Sequence, residues 1–304
     1  MFSHAHPVEA DLMLVLVTFF WGISYLLTDL ALGELGVFTL NALRFLIAFA
    51  AALLLFPRKL AAPSRSTLGL SVLTGTALLC VYAFNTFGVK YTSLTNAGFL
   101  CALTVVFTPL LDFLCFRTRP SRKLFLVLVM SVTGIGLLTL SGGMRPALGD
   151  ILCILCAVAN AAYLIITERG VARDKVDAFQ LGIYQQLFTG LGMLVLALIF
   201  ETPSLPRSPA VWGSVLVLSL FCTGAAFLIQ AVALQYTTAS HVGIIFCLEP
   251  VFNSVLAFFV AREVLAPQAY LGVVLLIAGL LVMETDLSRL FSRRSKTPPS
   301  NPKT

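Results

Sequence analysis

The hydrophobic positions of the chain form ten long apolar stretches, separated by short connections that contain Pro, Gly or charged residues. The stretches occupy residues 12–28, 38–56, 68–89, 93–116, 124–143, 151–167, 178–200, 211–236, 239–260 and 268–283. Each is close to the roughly 20 residues that an α-helix needs to cross a bilayer. Because no connection is long enough to fold separately, the pattern predicts an all-α integral membrane protein with ten transmembrane helices.

The composition agrees with this prediction and excludes several other classes. Hydrophobic residues make up 59% of the chain, charged residues make up 11%, and the mean hydropathy is +0.96. Soluble domains carry about 25% charged residues, so this chain could not cover a surface that faces water. A disordered chain, a coiled coil and a nucleic-acid-binding protein are excluded on the same ground. Residues 1–11 contain no Lys or Arg, so no cleavable secretory signal is predicted.

The basic residues are distributed unequally between the two sides of the predicted bundle. With the N-terminus inside, only four of the 20 Lys and Arg residues fall in outer connections: Lys90, Arg145, Arg207 and Arg262. Arg44 falls within a helix, and all the others lie on the inner side. Since cytoplasmic connections carry the excess of basic residues, both termini are predicted to be cytoplasmic. Residues 286–304 are predicted to form a basic, disordered cytoplasmic tail.

The two halves of the chain resemble each other at a constant offset of 145 residues. Matching positions include Tyr91 and Tyr236, Gly98 and Gly243, Leu103 and Leu248, and Gly134 and Gly279. Residues 11–143 and 149–285 each hold five predicted helices, and this odd number gives the two copies opposite orientations in the membrane. Inverted repeats of this kind are typical of secondary transporters, with the substrate site near the midplane where the repeats meet.

Polar residues recur at matched positions of the two repeats. On the third and eighth stretches, Thr74, Leu78, Tyr82 and Asn85 correspond to Ser219, Thr223, Phe227 and Gln230. On the fourth and ninth, Thr104 and Thr108 correspond to Glu249 and Asn253. The spacing places each set on one helix face. We expect a polar cavity shared by the two repeats; the alternative is that these groups only hydrogen-bond one helix to another.

Glu249 and Arg44 are the charged residues of greatest interest within the stretches. A charge at the centre of a bilayer costs at least about 2.5–3.5 kcal/mol, so each should face a cavity or a partner. Pro250 follows Glu249 and frees the carbonyl of Phe246, which makes a locus suited to a cation, an amine or a proton. Arg44 could hold a substrate carboxylate. The alternative is that Arg44 and Glu249 pair permanently as a structural bridge.

Two further residues have structural interpretations. Asp112 lies near the inner end of its stretch, close to Arg117 and Arg119, and is expected to form a salt bridge with one of them or to extend towards the membrane interface. Pro109 frees a carbonyl in the fourth stretch, so the two repeats are predicted to break at similar depths.

No feature of the sequence indicates catalysis. Cys153 and Cys156 form a C-x-x-C pair without a second pair or a nearby His, and are interpreted as small packing residues. Two of the three His residues lie in the N-terminal segment, and there is no Gly-rich phosphate loop. We therefore expect no catalytic residue, no metal and no cofactor.

Several short motifs resemble those of a known family. Trp21-Gly22, the run from Leu248 to Phe252 (LEPVF) and Arg262-Glu263 resemble the EamA-like transporters of the drug/metabolite transporter superfamily, over about residues 11–285. The resemblance implies a multi-pass carrier of the cytoplasmic membrane that exports amino acids or other small metabolites through a central cavity. It also implies that Glu263 is a loop glutamate, although Thr118 stands at the matching position of the first repeat.

The sequence therefore predicts a secondary active transporter that exports amino acids or related small metabolites by alternating access, with protons as the candidate coupling ion. The predicted site residues are Glu249, Asn253, Arg44, Trp21, Asn85, Gln230 and Tyr82. The expected partners are a small-molecule substrate and membrane lipids, with the chain as a monomer or a homodimer. A multidrug exporter or lipid-carrier flippase of the same fold is the alternative.

Overall fold

A computed structural model of the protein describes residues 7–92, 94–117, 121–139, 148–172, 175–261 and 267–284. Its helices are α1 (Pro7–Leu32), α2 (Val37–Leu55), α3 (Pro57–Leu60), α4 (Arg65–Tyr91), α5 (Leu94–Ala102), α6 (Thr104–Phe116), α7 (Arg122–Thr139), α8 (Leu148–Val171), α9 (Ala178–Phe200), α10 (Pro209–Ser219), α11 (Ala226–Ala233), α12 (Ala239–Phe246), α13 (Glu249–Ala261) and α14 (Pro267–Glu284). A π-helical turn, Leu220–Ala225, joins α10 to α11. The described residues contain no strand, which confirms the all-α prediction over these ranges. The predictions for Thr118, for Arg262-Glu263 and for the tail 286–304 fall outside them.

Six helical segments are long and apolar enough to cross a membrane. They are Ala10–Leu32, Val37–Leu55, Arg65–Tyr91, Leu148–Val171, Ala178–Phe200 and Pro209–Ala233, and shorter apolar helices cover Leu100–Phe116, Ala239–Asn253 and Tyr270–Gly279. Large apolar side chains are exposed on the outside of the bundle, including Leu54 at 81% and Phe200 at 69%. So much exposed apolar surface would be unfavourable in water and suits contact with lipid. The chain is a multi-pass membrane protein.

Local sequence explains where several helices begin. Ser64 accepts a hydrogen bond from the Thr67 amide at the start of α4, and Asp177, Ser208 and Thr238 act in the same way at the starts of α9, α10 and α12. These side chains satisfy amide groups that a helix leaves unpaired in its first turn. Short polar side chains in the connections therefore fix where these apolar helices begin.

The beginning of α2 is capped from another helix. Glu201, directly after α9, accepts hydrogen bonds from the amides of Phe38 at 2.9 Å and Thr39 at 2.8 Å, and from the Thr39 hydroxyl at 2.7 Å. A carboxylate at a helix N-terminus pairs with unsatisfied amides and with the positive end of the helix dipole. Glu201 thus ties the end of α9 to the start of α2.

We expect Glu201→Ala to destabilise the protein by about 1–2 kcal/mol, because it leaves the first amides of α2 without an acceptor. A lower midpoint of thermal unfolding in detergent would show this effect. Asp29→Ala is the matched control, since it removes an exposed acid of α1 that caps no helix. Equal midpoints for the two variants would contradict the capping role.

Both the fourth and the ninth apolar stretches are interrupted. The fourth stretch is divided at Leu103, between α5 and α6. The ninth is divided at Cys247 and Leu248, between α12 and α13. Pro250 is the second residue of α13. Proline is tolerated in the first turn of a helix because an N–H group there has no acceptor within the helix. Leu103 and Leu248 lie 145 residues apart. The repeats are therefore interrupted at similar depths, as predicted, and Pro109 lies inside α6, after the first interruption. The break comes earlier, where the Thr104 hydroxyl bonds the carbonyl three residues before it at 2.8 Å.

Asp112 forms an ion pair with a residue that the sequence did not predict, Arg169. Its carboxylate lies 2.7 Å from the guanidinium of Arg169 on α8. Arg117 caps α6 in a left-handed conformation, with φ of 58°, where the chain leaves the helix. Arg119 lies outside the described residues. The packing of α6 against α8 therefore supplies this partner.

Candidate functional site

A cavity of about 60 Å³ lies among α1, α2, α4, α5, α8, α11 and α13. Five of the seven predicted site residues line it: Trp21, Arg44, Tyr82, Asn85 and Glu249. The wall also contains Tyr25, Asn160 and Phe227, together with two thiols, from Cys101 and Cys156. Four aromatic rings, one cation and one acid thus surround a single small space. The structure brings these groups together from helices in both halves of the chain.

The other two predicted residues lie away from the cavity wall. Gln230 is fully buried on α11, and neither its amide nitrogen nor its amide oxygen has a hydrogen-bond partner among the described residues. It lies three residues beyond Phe227, which lines the cavity itself. Asn253 of α13 is also buried, and its side chain packs against Gly98 of α5. A methyl group added to Gly98 would lie only 3.5 Å from Nδ2 of Asn253. Both residues therefore belong to helix interfaces around the cavity in this conformation.

Arg44 is buried among neutral groups, with 3% of its surface exposed. Its Nε donates to the Thr223 hydroxyl, and its Nη2 donates to the Cys222 carbonyl at 3.2 Å and to the Tyr82 hydroxyl at 3.4 Å. The guanidinium carbon also lies 4.7 Å from the centroid of the Tyr82 ring, a cation–π distance. Nη1 makes no hydrogen bond to any residue that the structure describes. Arg44 therefore keeps donors available beside the cavity.

The π-helical turn supplies two of the acceptors that hold Arg44. The Cys222 carbonyl accepts from both Arg44 and the indole nitrogen of Trp21, the latter at 2.9 Å. Turns of this type occur mostly as single insertions in α-helices and are frequent at functional sites. Helical periodicity places Thr223 on the polar face, but no residue pattern in the sequence marks this turn. The turn fixes Trp21 and Arg44 relative to each other.

Glu249 is the first residue of α13, at the interruption of the ninth stretch, and it is partly exposed towards the cavity. Tyr25 of α1 lines the same cavity as Glu249. Over the described residues, the ion pairs within 4.0 Å are Asp112 with Arg169 and Asp11 with His241. A permanent bridge between Arg44 and Glu249, the structural alternative, is therefore not present. The two charges face the same cavity without neutralising each other directly.

Aromatic rings enclose the charged groups. Trp21 packs against Phe246 with 4.7 Å between ring centroids and against Phe227 at 5.6 Å. Tyr82 packs on Phe227 at 5.8 Å and on Phe45 at 4.8 Å. Such contacts limit ring movement and lower the local dielectric, which strengthens electrostatic interactions inside the cavity. Within the described part of the chain, no group of three or more His, Cys, Asp and Glu side chains is arranged to hold a metal.

Gly22, next to Trp21, allows α1 to approach α13 closely. A methyl group built on Gly22 would lie 2.7 Å from Cβ of Phe252, 3.1 Å from the amide nitrogen of Asn253 and 3.3 Å from the carbonyl oxygen of Glu249. These atoms belong mainly to the backbone, which cannot move independently of α13. The Trp-Gly pair therefore sets the position of Glu249 as well as that of Trp21.

We expect Gly22→Ala to lower stability by about 1–3 kcal/mol, because α13 must shift to make room for the methyl group. Gly213→Ala is the matched control, since a methyl group there meets no atom within 4 Å and lies on an exposed face of α10. Thermal unfolding of both variants in detergent distinguishes them. If Gly22→Ala unfolds at or above the midpoint of Gly213→Ala, the close approach is not required.

Comparison with known proteins identifies the family. The model of the EamA-like transporter family matches residues 8–140 and matches again over residues 147–285. An uncharacterized transporter of Archaeoglobus fulgidus is 28% identical, covering 90% of this chain and 85% of its own length. The uncharacterized transporter YetK of Bacillus subtilis is 27% identical, covering 86% of this chain and 82% of its own.

One protein of known crystal structure has the same fold, with a TM-score of 0.76 and 19% identity over 95% of this chain and 99% of that one. Similarity therefore extends over nearly the whole length of the chain in both sequence and structure. The family model matches both halves of the chain, and the chain belongs to the EamA-like transporter family.

Proposed function

We propose that the protein is a secondary active transporter that exports amino acids or related small metabolites carrying a carboxylate. The observation that carries the proposal is Arg44, a buried cation that lines a cavity with no carboxylate partner of its own in the described structure. Family membership supports transport, and the cavity residues support this class of substrate.

The surroundings of Arg44 favour an anionic ligand. Removing a guanidinium from water is costly unless charge and hydrogen bonds compensate it. Thr223, Cys222 and Tyr82 satisfy Nε and Nη2 but contribute no negative charge. A carboxylate at Nη1 would supply both the missing charge and the missing acceptors, in the planar geometry that arginine prefers.

Glu249 gives the same cavity an acidic wall. With Tyr25 in the same cavity wall, its carboxyl group is suited to a substrate ammonium group or to a coupling proton. The rings of Trp21 and Tyr82 add cation–π and apolar surface. A zwitterion such as an amino acid would thus find complementary charges on α2 and α13. The single cation of the described cavity wall supports an anionic lipid carrier less well.

The packing of the helices supports ten spans arranged as two inverted repeats. Gly98 faces Asn253, and Gly243 faces Thr108. A methyl group added to Gly98 would lie 3.5 Å from Nδ2 of Asn253, and one added to Gly243 would lie 3.8 Å from the Thr108 hydroxyl oxygen. A shift of 145 residues converts each contact into the other, as expected for a pseudo-twofold axis. The two separate matches of the family model agree with this arrangement. The excess of basic residues then favours cytoplasmic termini in the cytoplasmic membrane.

The small cavity supports alternating access. Small-molecule sites usually have volumes of roughly 300–1,000 Å³, whereas this cavity measures about 60 Å³. A substrate could reach Arg44 and Glu249 only when the surrounding helices separate. Rocking of the two repeats about the interrupted helices would open the cavity to each side in turn.

A transport screen in proteoliposomes tests the proposal. Labelled amino acids, the corresponding amines and the corresponding carboxylic acids are offered with and without an imposed pH gradient. We expect uptake or counterflow of at least one carboxylate-bearing solute, saturable and dependent on Arg44. Transport confined to amines, or transport of none of these solutes under either condition, would contradict it.

A further inference from the structure

The C-x-x-C pair of α8 has a third cysteine beside it, contributed by the other half of the chain. The Cys101 thiol of α5 donates to the Cys153 carbonyl oxygen of α8 at 3.9 Å, and Cys101 lines the same cavity as Cys156 of α8. The sequence separates Cys101 from α8 by a long interval, so spacing alone gives no sign of this group. Cys101 therefore lies against α8, where the first half of the chain contacts the second.

Two of these three cysteines line the cavity. Cys101 and Cys156 both line it, together with Asn85 and Glu249. Cys153 is fully buried instead, and its sulfur packs against Gly88 of α4 so closely that no Cβ could be added there. A reagent that occupies the cavity can therefore reach Cys101 and Cys156 but not Cys153.

We propose that Cys101 and Cys156 are a reversible redox site, at which a thiol oxidant that enters the cavity forms a disulfide between α5 and α8. The two S–H bonds break and one S–S bond forms. Two protons and two electrons pass to the oxidant, which is a disulfide reduced to two thiols or an azo compound reduced to a hydrazine. The attacking species is a thiolate, and the Asn85 amide donates to the Cys101 sulfur at 3.4 Å.

The disulfide has a consequence for transport, which rests on the proposed function. It would tie the first repeat to the second at the cavity wall, beside the interruption between α5 and α6. Repeats that are joined there cannot rock apart. The oxidised protein is therefore locked, and reduction releases it. Disulfides inside cells are usually transient and catalytic or redox-sensing, which fits a reversible role.

Cleavage of the oxidised wild-type protein at methionine tests the site without any substitution. Met13, Met130, Met144 and Met193 place Cys101 in the fragment 14–130 and Cys156 in the fragment 145–193. After treatment of the purified protein with diamide, we expect these two fragments to remain linked until dithiothreitol is added. If they separate without reductant, the proposal is overturned.

Single substitutions identify the two cysteines that form the disulfide. Linkage should disappear in Cys101→Ala and in Cys156→Ala, and persist in Cys153→Ala and in Cys115→Ala, which removes an exposed thiol of α6. Linkage that survives Cys156→Ala would also overturn the proposal. Since the wild-type experiment needs no variant, a misfolded variant leaves the test intact.

Flux measurements separate the site from its effect. We expect diamide to remove most of the flux of the wild type and of Cys115→Ala, with recovery on reduction, and to change the flux of Cys156→Ala much less. A disulfide that forms while flux continues keeps the redox site but contradicts locking. A protein that transports no solute in the reduced state contradicts the proposed function and leaves the linkage result standing.

Discussion

Arg44→Gln is expected to reduce kcat/KM for a carboxylate-bearing substrate by roughly 30-fold to several thousand-fold, which corresponds to about 2–5 kcal/mol for loss of one partner of a buried charge pair. Glutamine cannot supply the positive charge, and it leaves Thr223 and the Cys222 carbonyl without the donor that now joins them. Concentration-dependent uptake into proteoliposomes measures the loss. Arg44→Lys should recover only part of it, because an ammonium group lacks the planar set of donors that reaches α4, the π-helical turn and the cavity together.

The control for this prediction is Arg207→Gln, which removes a cation in the connection before α10, outside the cavity. Its transport should match that of the wild type. Transport of an amine that lacks a carboxylate should be insensitive to Arg44→Gln. A carboxylate substrate whose KM and kcat are unchanged in Arg44→Gln would show that Arg44 has only a structural role.

Much of this cavity could be predicted from the sequence, because buried charge is rare in membrane helices. Arg44 and Glu249 stand out in stretches that otherwise contain almost no charge, and the cost of burying them identifies them without a structure. Tyr82 and Asn85 follow from helical periodicity, and Trp21 follows from the resemblance to the family. The match between the repeats also predicted helix interruptions at similar depths, and the interruptions lie 145 residues apart.

The remaining features depend on tertiary contacts that periodicity does not encode. A regular helix places Gln230 on the same face as Phe227, yet only the ring lines the cavity, and the amide lies between packed helices. Cys101 lines the same cavity as Cys156 because two helices distant in sequence pack together there. Asp112 pairs with Arg169 for the same reason. Sequence patterns identify the face of each helix, whereas the neighbours of that face are set by packing.

Glu249→Gln is expected to abolish accumulation driven by a pH gradient, with correct insertion of the protein in the membrane. Glutamine has nearly the same size, but it neither carries a negative charge nor binds and releases a proton. If the carboxyl group binds the coupling proton, exchange of substrate between two equal pools should persist while net uphill transport disappears. If it binds the substrate ammonium group instead, exchange of amino acids should be lost as well.

The decisive comparison is therefore between exchange and gradient-driven uptake, measured on the same proteoliposomes. Glu34→Gln is the matched control, since Glu34 is exposed between α1 and α2 and bonds the amides of Arg207 and Ser208 outside the cavity. Its flux and pH profile should be those of the wild type. Glu249→Gln with wild-type flux and an unchanged pH profile would exclude Glu249 from both roles. The cavity would then depend on Arg44 alone, and the acid at the start of α13 would have only a structural role.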